Sequence, residues 1–142
     1  MMIEYGQDTI EAHREMRISL VHAHTPTREV LTRALSVKLK LPVTGFSCVE
    51  NLLQSSMDYD VFVVYSDFGH KISGVRGVAS IRQQKRQAFI IGVSYRPNLD
   101  KRFLPAGANA FLLRAGNEIE ELVRLIRQHC DARAMPSAAV SR

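Results

Sequence analysis

The chain has 142 residues, of which 46% are hydrophobic and 23% charged, a composition that suits one folded domain and excludes fibrous or wholly disordered proteins. Its net charge of +5 is accompanied by no recognised DNA-binding motif, so we do not predict nucleic-acid binding. No apolar run approaches the roughly 18–20 residues of a membrane span, and the acidic N-terminus does not resemble a signal peptide, so we expect a cytoplasmic protein.

Residues 1–15 form a polar, weakly periodic stretch, which we interpret as an N-terminal extension. A first strand is predicted over residues 16–22. Thr25-Pro26-Thr27 then supplies an N-cap residue and a first-turn proline for a helix that runs to about Lys40. The apolar residues of this helix fall mostly at three and four spacing and are expected to face a sheet: Val30, Leu31, Ala34, Leu35 and Val37.

The stretch Tyr59–Tyr65 contains five consecutive apolar or aromatic residues, three of which are β-branched. This pattern predicts a central strand that is buried on both faces. A second strand is predicted before it at residues 43–48, followed by a short second helix at residues 49–56.

A third helix is predicted over residues 73–85, although Gly74 and Gly77 each weaken it by up to about 1 kcal/mol relative to alanine. Residues 88–94 form another nearly unbroken apolar run and predict a fourth buried strand. The two cysteines, Cys48 and Cys130, lie far apart without Cys-x-x-Cys spacing, so we predict two free thiols.

The C-terminal part contains the weakest helix and the clearest one. Pro105 biases the residue before it away from helical conformations, so the fourth helix is expected to end near Phe103. A fifth strand is predicted over residues 110–114. Asn117 is an N-cap for the last helix, whose first turn is acidic, and residues 131–142 are interpreted as a disordered tail.

Five strands that alternate with five helices favour a parallel sheet covered by helices on both faces. Right-handed crossovers then make an α/β protein with a three-layer α/β/α sandwich. We assign this single (βα)5 domain to residues 16–130.

Four segments of the chain resemble the landmarks of response-regulator receiver domains: residues 16–24, 59–65, 90–94 and 107–114. The last of them, with its Gly-Ala-x-x-aromatic-Leu-x-basic pattern, is the most specific. The resemblance implies a flavodoxin-like fold with strand order 2-1-3-4-5. It also implies a phosphorylation site at the carboxyl ends of strands one, three and five.

In receiver domains that site holds an acidic pair, a phosphoacceptor aspartate, a hydroxyl and a lysine. The matching positions of this chain hold His22 and Ala23 for the acidic pair, Tyr65 for the aspartate, Ser94 for the hydroxyl and Arg114 for the lysine. The resemblance therefore implies a degenerate site, a pseudo-receiver that lacks all three carboxylates.

The loss of the carboxylates removes the ligands that Mg²⁺ prefers. A divalent ion about 6 Å from the charge of Arg114 would also be repelled by about 5 kcal/mol at an effective dielectric constant of 20. We therefore predict no bound Mg²⁺, no aspartyl phosphate and no cofactor. Asp67 lies two residues beyond Tyr65, but one carboxylate without the acidic pair does not hold the metal.

Two further kinds of site could use the same residues. His22 and His24 could share one face of a strand and bind a transition metal with His70, yet we favour a neutral, hydrogen-bonded His22 and a solvated His24. Ser94 could act as a nucleophile with Tyr65 or His24, but it has no Gly-x-Ser-x-Gly surroundings. Neither a metal site nor an enzyme is predicted.

The remaining polar groups of the site leave two arrangements open. His22, Ser94, Arg96 and Arg114 could bind an anionic ligand at the strand ends. Alternatively, Tyr65 fills the crevice and Arg114 pairs with Asp67 or with a backbone carbonyl, which is the arrangement that we favour.

Phe111 matches the switch aromatic residue of receiver domains, which moves together with the hydroxyl of Ser94 in that family. The resemblance implies that the face of helix four, strand five and helix five contacts a partner or a second copy. We therefore predict a phosphorylation-independent signalling module of a two-component or phosphorelay pathway, which acts by protein contacts and forms a homodimer. The alternative is a sensor of a nucleotide or phosphorylated metabolite.

Overall fold

The computed structural model describes residues 15–66 and 73–134. Its strands are β1 (Ile18–Val21), β2 (Val43–Phe46), β3 (Val61–Tyr65), β4 (Phe89–Ser94) and β5 (Ala110–Leu113). Its helices are α1 (Thr25–Leu39), α2 (Val49–Leu53), α3 (Ser73–Gln84), α4 (Asp100–Ala106) and α5 (Glu118–Ala134). The strands form one parallel sheet in the order β2-β1-β3-β4-β5, which confirms the predicted flavodoxin-like fold.

The central strand β3 is buried along its whole length, as its apolar run predicts. Successive side chains of a strand point to opposite faces of the sheet. Val61, Val63 and Tyr65 therefore join the core beneath α1 and α5. Phe62 and Val64 join the core beneath α2, α3 and α4. Two cores of this kind require apolar residues at consecutive positions, which explains the uninterrupted run.

The inward face of α1 is narrower than its sequence suggests. Leu31 and Leu35 are buried, as predicted, but Val30 and Val37 are 67% and 68% exposed. Residues on a helix are about 100° apart per position, which places both valines more than about 100° around the helix from the midpoint of Leu31 and Leu35, on the solvent side. The prediction that they face the sheet was wrong.

The start of α1 also differs from the prediction of a Thr25 N-cap. His24 is the N-cap, and its Nδ1 accepts a hydrogen bond from the backbone N–H of Thr27 at 3.4 Å. Thr25 and Pro26 are the first two helical residues. An imidazole nitrogen thus takes the place of the usual hydroxyl or carboxylate oxygen.

Two glycines of α3 allow close approach of its neighbours. A Cβ atom at Gly77 would lie 2.4 Å from Cγ2 of Val49 in α2. A Cβ atom at Gly74 would lie 2.4 Å from Cβ of Ser66, which follows β3. The helix forms despite its two glycines because packing against these residues outweighs the propensity cost.

The fourth helix continues past Phe103, where the sequence predicted its end. Pro105 lies inside α4, near its C-terminus, where the ring interrupts only the final turn. Phe103 is fully buried. A Cβ atom at Gly92 would lie only 2.4 Å from Cδ1 of the Phe103 ring, so glycine leaves room for this ring. Packing of Phe103 on β4 therefore stabilises this short helix.

The last helix extends four residues beyond the predicted domain boundary at residue 130. Arg133 explains this extension, because its guanidinium forms an ion pair with Asp60 at 3.1 Å and contacts Sδ of Met16 at 3.4 Å. Most of the predicted N-terminal extension and the end of the predicted tail lie outside the described residues. Within the described ranges, no helix is both long enough and apolar enough to span a membrane.

Candidate functional site

His22 and Tyr65 meet at the carboxyl edge of the sheet. Val21 of β1 pairs with Val64 of β3, so the next residue of each strand lies beside the other. The His22 and Tyr65 rings are 4.9 Å apart between centroids and are tilted by 53°. His22 Nε2 and Tyr65 Oη are both fully buried. Two aromatic side chains thus lie together at the carboxyl ends of β1 and β3.

Backbone contacts determine the orientation of the His22 ring. Its Nδ1 accepts a hydrogen bond from the backbone N–H of His24 at 3.1 Å, so this nitrogen carries no proton. The carbonyl of His22 accepts a second bond, from Nη1 of Arg28 at 2.8 Å. His22 is therefore a buried imidazole whose ring is held by a hydrogen bond at Nδ1. Its side chain and that of His24 do not share one exposed face.

Tyr65 belongs to the core beneath α1 and α5 and is only 6% exposed. The guanidinium carbon of Arg114 lies 5.8 Å from the centroid of the Tyr65 ring, within the range of a cation–π interaction. The phenol therefore fills the crevice from one side while Arg114 covers its face.

Arg114 forms an ion pair with Glu118, a partner that the sequence did not predict, whereas the predicted partner Asp67 lies outside the described residues. Nε of Arg114 donates to Oε2 of Glu118 at 3.0 Å. Glu118 is the first residue of α5 and is almost fully buried, so its carboxylate also benefits from the positive end of the helix dipole. The Glu118 carboxylate offsets most of the positive charge of Arg114.

Ser94 connects two loops at the edge of the site. Its Oγ donates to the carbonyl of Ser66 at 3.2 Å and accepts a hydrogen bond from the backbone N–H of Arg96 at 3.1 Å. Ser94 is fully buried. The hydroxyl therefore joins the end of β3 to the loop that leads into α4, as expected of a hydroxyl at a strand end.

The other predicted residues lie apart from the central pair. Ala23 is exposed at the rim, and so is the side chain of Arg96. Phe111 packs on the opposite face of the sheet, where it is half-buried and lies 5.5 Å from Phe103 between ring centroids. The structure therefore brings together His22, Tyr65 and Arg114, with Ser94 on the neighbouring strand.

The described residues at this site do not fit the Mg²⁺ ion that the resemblance implies. The described first and third strand ends present imidazole and phenol groups, neither of which is a hard carboxylate ligand. Across residues 15–66 and 73–134, no group of three His, Cys, Asp or Glu side chains is placed to hold a metal ion. Since Glu118 offsets the charge of Arg114, missing ligands weigh more against Mg²⁺ than repulsion does. Asp67 and His70 lie outside the described ranges.

Three contributors to the site escaped the sequence prediction: Arg28, Ser66 and Glu118. In the sequence, Glu118 is an ordinary acidic residue in the first turn of a helix. It lies four residues after Arg114, but this spacing predicts a contact only when both residues lie in the same helix. Arg28 donates to the backbone carbonyl of His22, and Ser66 accepts from Ser94 through its own backbone carbonyl. Contacts to backbone carbonyls leave no pattern in the sequence.

Comparison with known proteins relates this geometry to receiver domains by fold. No protein-family model and no curated protein matches the sequence. A CheY-like response regulator receiver domain protein from Methanospirillum hungatei JF-1 superposes with a TM-score of 0.73, at 16% identity over 84% of this chain and 97% of that one. The response regulator TrrA from Thermotoga maritima, solved in complex with Mg²⁺-BeF, gives a TM-score of 0.69 at 22% identity over 80% and 97%.

A third similar structure, the Thermotoga maritima response regulator DrrB, is described as an OmpR/PhoB homologue and gives a TM-score of 0.70 at 16% identity. The match covers 82% of this chain but only 53% of the length of DrrB. At such low identities the similarity establishes the receiver fold alone.

Proposed function

We propose that this chain is an atypical receiver-like signalling module that acts by phosphorylation-independent protein contacts in a two-component-type pathway. It has no catalytic role in this proposal. The receiver fold supports the signalling class, and the altered strand ends support independence from phosphorylation.

One observation carries the proposal: at the end of β3, where the resemblance implies a phosphoacceptor aspartate, a buried phenol packs against an imidazole and a guanidinium. The ring of Tyr65 lies 4.9 Å from that of His22 and 5.8 Å from Cζ of Arg114. In a receiver, a basic residue of strand five meets the phosphoryl group, whereas here Arg114 already meets the carboxylate of Glu118. In this proposal, the ion pair with Glu118 occupies the basic residue that a phosphoryl group would otherwise bind.

The contact surface that we propose lies on α4 and β5. Leu104 of α4 and Leu113 of β5 are 45% and 44% exposed. Residues two apart in a strand point to the same face, so Leu113 projects on the side of the sheet where Phe111 packs against Phe103. Phe111 would support the surface from beneath, and the two leucines would form the apolar contact with a second copy.

Size-exclusion chromatography with light scattering tests this surface. We expect the wild-type chain to form a dimer, and Leu113→Lys and Leu104→Lys to shift it to the monomer. Met57→Lys is the matched control, because Met57 is 48% exposed and lies before β3. It is therefore at the end of the sheet where the strands begin, away from Leu113 at the end of β5. A wild-type chain that stays monomeric at all concentrations and retains no partner in a pull-down contradicts the proposal.

The alternative, an anionic-ligand sensor, receives less support from the site. An anion would have to compete with Glu118 for Arg114, and the buried carboxylate would repel it. A thermal-shift screen with nucleotides and sugar phosphates distinguishes the two functions. Stabilisation by such a ligand that is lost in Arg114→Ala would favour the sensor.

A further inference from the structure

We propose that a cleft at the amino edge of the sheet binds a small organic anion that carries a phosphate or carboxylate group. The cleft has a volume of about 550 Å³, which is within the range of small-molecule sites. We call it the basal cleft. Its charged and imidazole side chains are those of Asp58, Asp60, Lys85, Arg86, His129 and Arg133.

The basal cleft lies at the opposite end of the sheet from the candidate functional site. Asp60 directly precedes β3 and Ala88 directly precedes β4. The backbone N–H of Phe89 donates to the carbonyl of Asp60 at 3.1 Å, which joins these two strand starts. His129 and Arg133 reach the cleft from the last turns of α5. A ligand bound here would therefore be separate from the altered strand ends at the carboxyl edge.

The charges of the basal cleft favour an anion. Nζ of Lys85 pairs with Oδ1 of Asp58 at 3.1 Å. Nη1 of Arg133 pairs with Oδ1 of Asp60, also at 3.1 Å. The third cation, Arg86, has no carboxylate partner within residues 15–66 and 73–134. A guanidinium presents a planar fork of N–H donors that matches carboxylate and phosphate oxygens, so an anion would complete the charge balance of the cleft.

Uncharged polar groups in the same cleft favour an organic ligand over an inorganic ion. The side chains of Gln84, Gln87 and His129 line the cleft and make no hydrogen bond to the described part of the chain. Stacking on Phe89 at 4.3 Å fixes the plane of the His129 ring. Burial lowers the pKa of His129, so at neutral pH the uncharged ring can donate from one nitrogen and accept at the other.

The framework of the basal cleft is held by contacts within the protein. Nη1 of Arg82 donates to the carbonyls of Arg86 and Ala88 at 2.7 Å and 2.9 Å, which fixes the turn between α3 and β4. The ion pair of Arg133 with Asp60 attaches the end of α5 to the start of β3. Binding would thus require ordering of the Arg86 side chain but little ordering of the backbone.

Heteronuclear NMR of the full chain tests the site, with adenosine 5′-monophosphate as the phosphate probe and citrate as the carboxylate probe. We expect at least one probe to shift the amide signals of residues 84–88 and of His129 until they saturate, with a Kd below about 1 mM. Arg86→Ala should weaken this binding at least about tenfold, because a charge-assisted hydrogen bond is lost. Arg76→Ala should leave the Kd unchanged, since Arg76 is an exposed arginine of α3 that does not line the cleft.

Arg86→Ala should fold normally, because Arg86 is exposed and only its backbone carbonyl takes part in the hydrogen bonds of the turn. Saturation by one probe supports the proposal and assigns the anionic group of the ligand, and saturation by both supports a site that accepts either group. Shifts that do not saturate with either probe, or a Kd that Arg86→Ala leaves unchanged, overturn the proposal. Inorganic sulfate that binds as tightly as the better probe overturns the assignment of an organic ligand.

Discussion

Glu118 accepts an ion-paired hydrogen bond from Nε of Arg114 at 3.0 Å, across the turn that joins β5 to α5. The Glu118 side chain is 11% exposed and that of Arg114 is 29% exposed. Water and salt therefore screen this pair less than they screen a surface pair. Because Arg114 also lies over the ring of Tyr65, the pair connects the start of α5 to the buried phenol at the end of β3.

Removal of the Glu118 carboxylate should destabilise the domain. We expect Glu118→Ala to lower the free energy of unfolding by about 1–3 kcal/mol, since it removes the nearly buried carboxylate that accepts from Nε of Arg114. Urea denaturation followed by circular dichroism measures this change. Glu120→Ala is the control, because Glu120 lies in the same helical turn but is exposed. Equal losses in the two variants would mean that the helix dipole, not the pair with Arg114, explains the effect.

Arg82 should be the most sensitive basic residue of α3. Its guanidinium donates to the carbonyls of Arg86, Ala88 and Gly107 and to Oδ1 of Asn109. Lysine has a single ammonium group and does not reproduce this planar set of donors. We expect Arg82→Lys to lower the free energy of unfolding by about 2–4 kcal/mol.

The control for Arg82 is Arg76→Lys, at an exposed position of the same helix. We expect a change of less than about 0.5 kcal/mol there. If Arg82→Lys and Arg76→Lys changed the free energy of unfolding equally in the same urea titration, the hydrogen bonds from Arg82 to Gly107 and Asn109 would have no energetic role.

Gly77→Ala should destabilise the domain although alanine favours helices. The new Cβ atom would lie 2.4 Å from Cγ2 of Val49, and overpacking of this kind costs about 1–3 kcal/mol. The double variant Gly77→Ala/Val49→Ala should recover part of the loss, because the smaller side chain removes the clash. A thermal melting temperature that rises in Gly77→Ala would contradict the close packing of α2 on α3.

Stability should fall at acidic pH in part because of His129. Burial lowers the pKa of His129, the Arg133 guanidinium lowers it further, and Asp60 opposes both effects. The ring stacks on Phe89 at 4.3 Å. The unfolded chain therefore takes up this proton first, so the contribution of His129 to stability is lost as the pH falls below about 6.5.

The pH effect is isolated by His129→Gln. Its free energy of unfolding should depend less steeply on pH than that of the wild type below about pH 6.5, and equally at higher pH. Slopes that are the same in both proteins would show that other groups cause the acid sensitivity.

The strands were predictable because a doubly covered parallel sheet demands unbroken apolar runs, such as Val61–Val64. Their order could be inferred from a resemblance spread over four segments. The sequence could not predict that Val30 faces solvent or that α4 continues through Pro105. Both features depend on which neighbouring element packs against the helix. Glu118 was missed for the same reason, since its partner lies on another element.

The proposed function requires that the domain works without an aspartyl phosphate. The most direct measurement is the intact mass of the full chain after incubation with a small-molecule phosphodonor and Mg²⁺, with Asp67→Asn treated in parallel. Since His22 and Tyr65 provide no carboxylate at the ends of β1 and β3 that could hold the metal, we predict no phosphoryl adduct on either protein. A Mg²⁺-dependent adduct on the wild type that is absent from Asp67→Asn would contradict the proposed independence from phosphorylation.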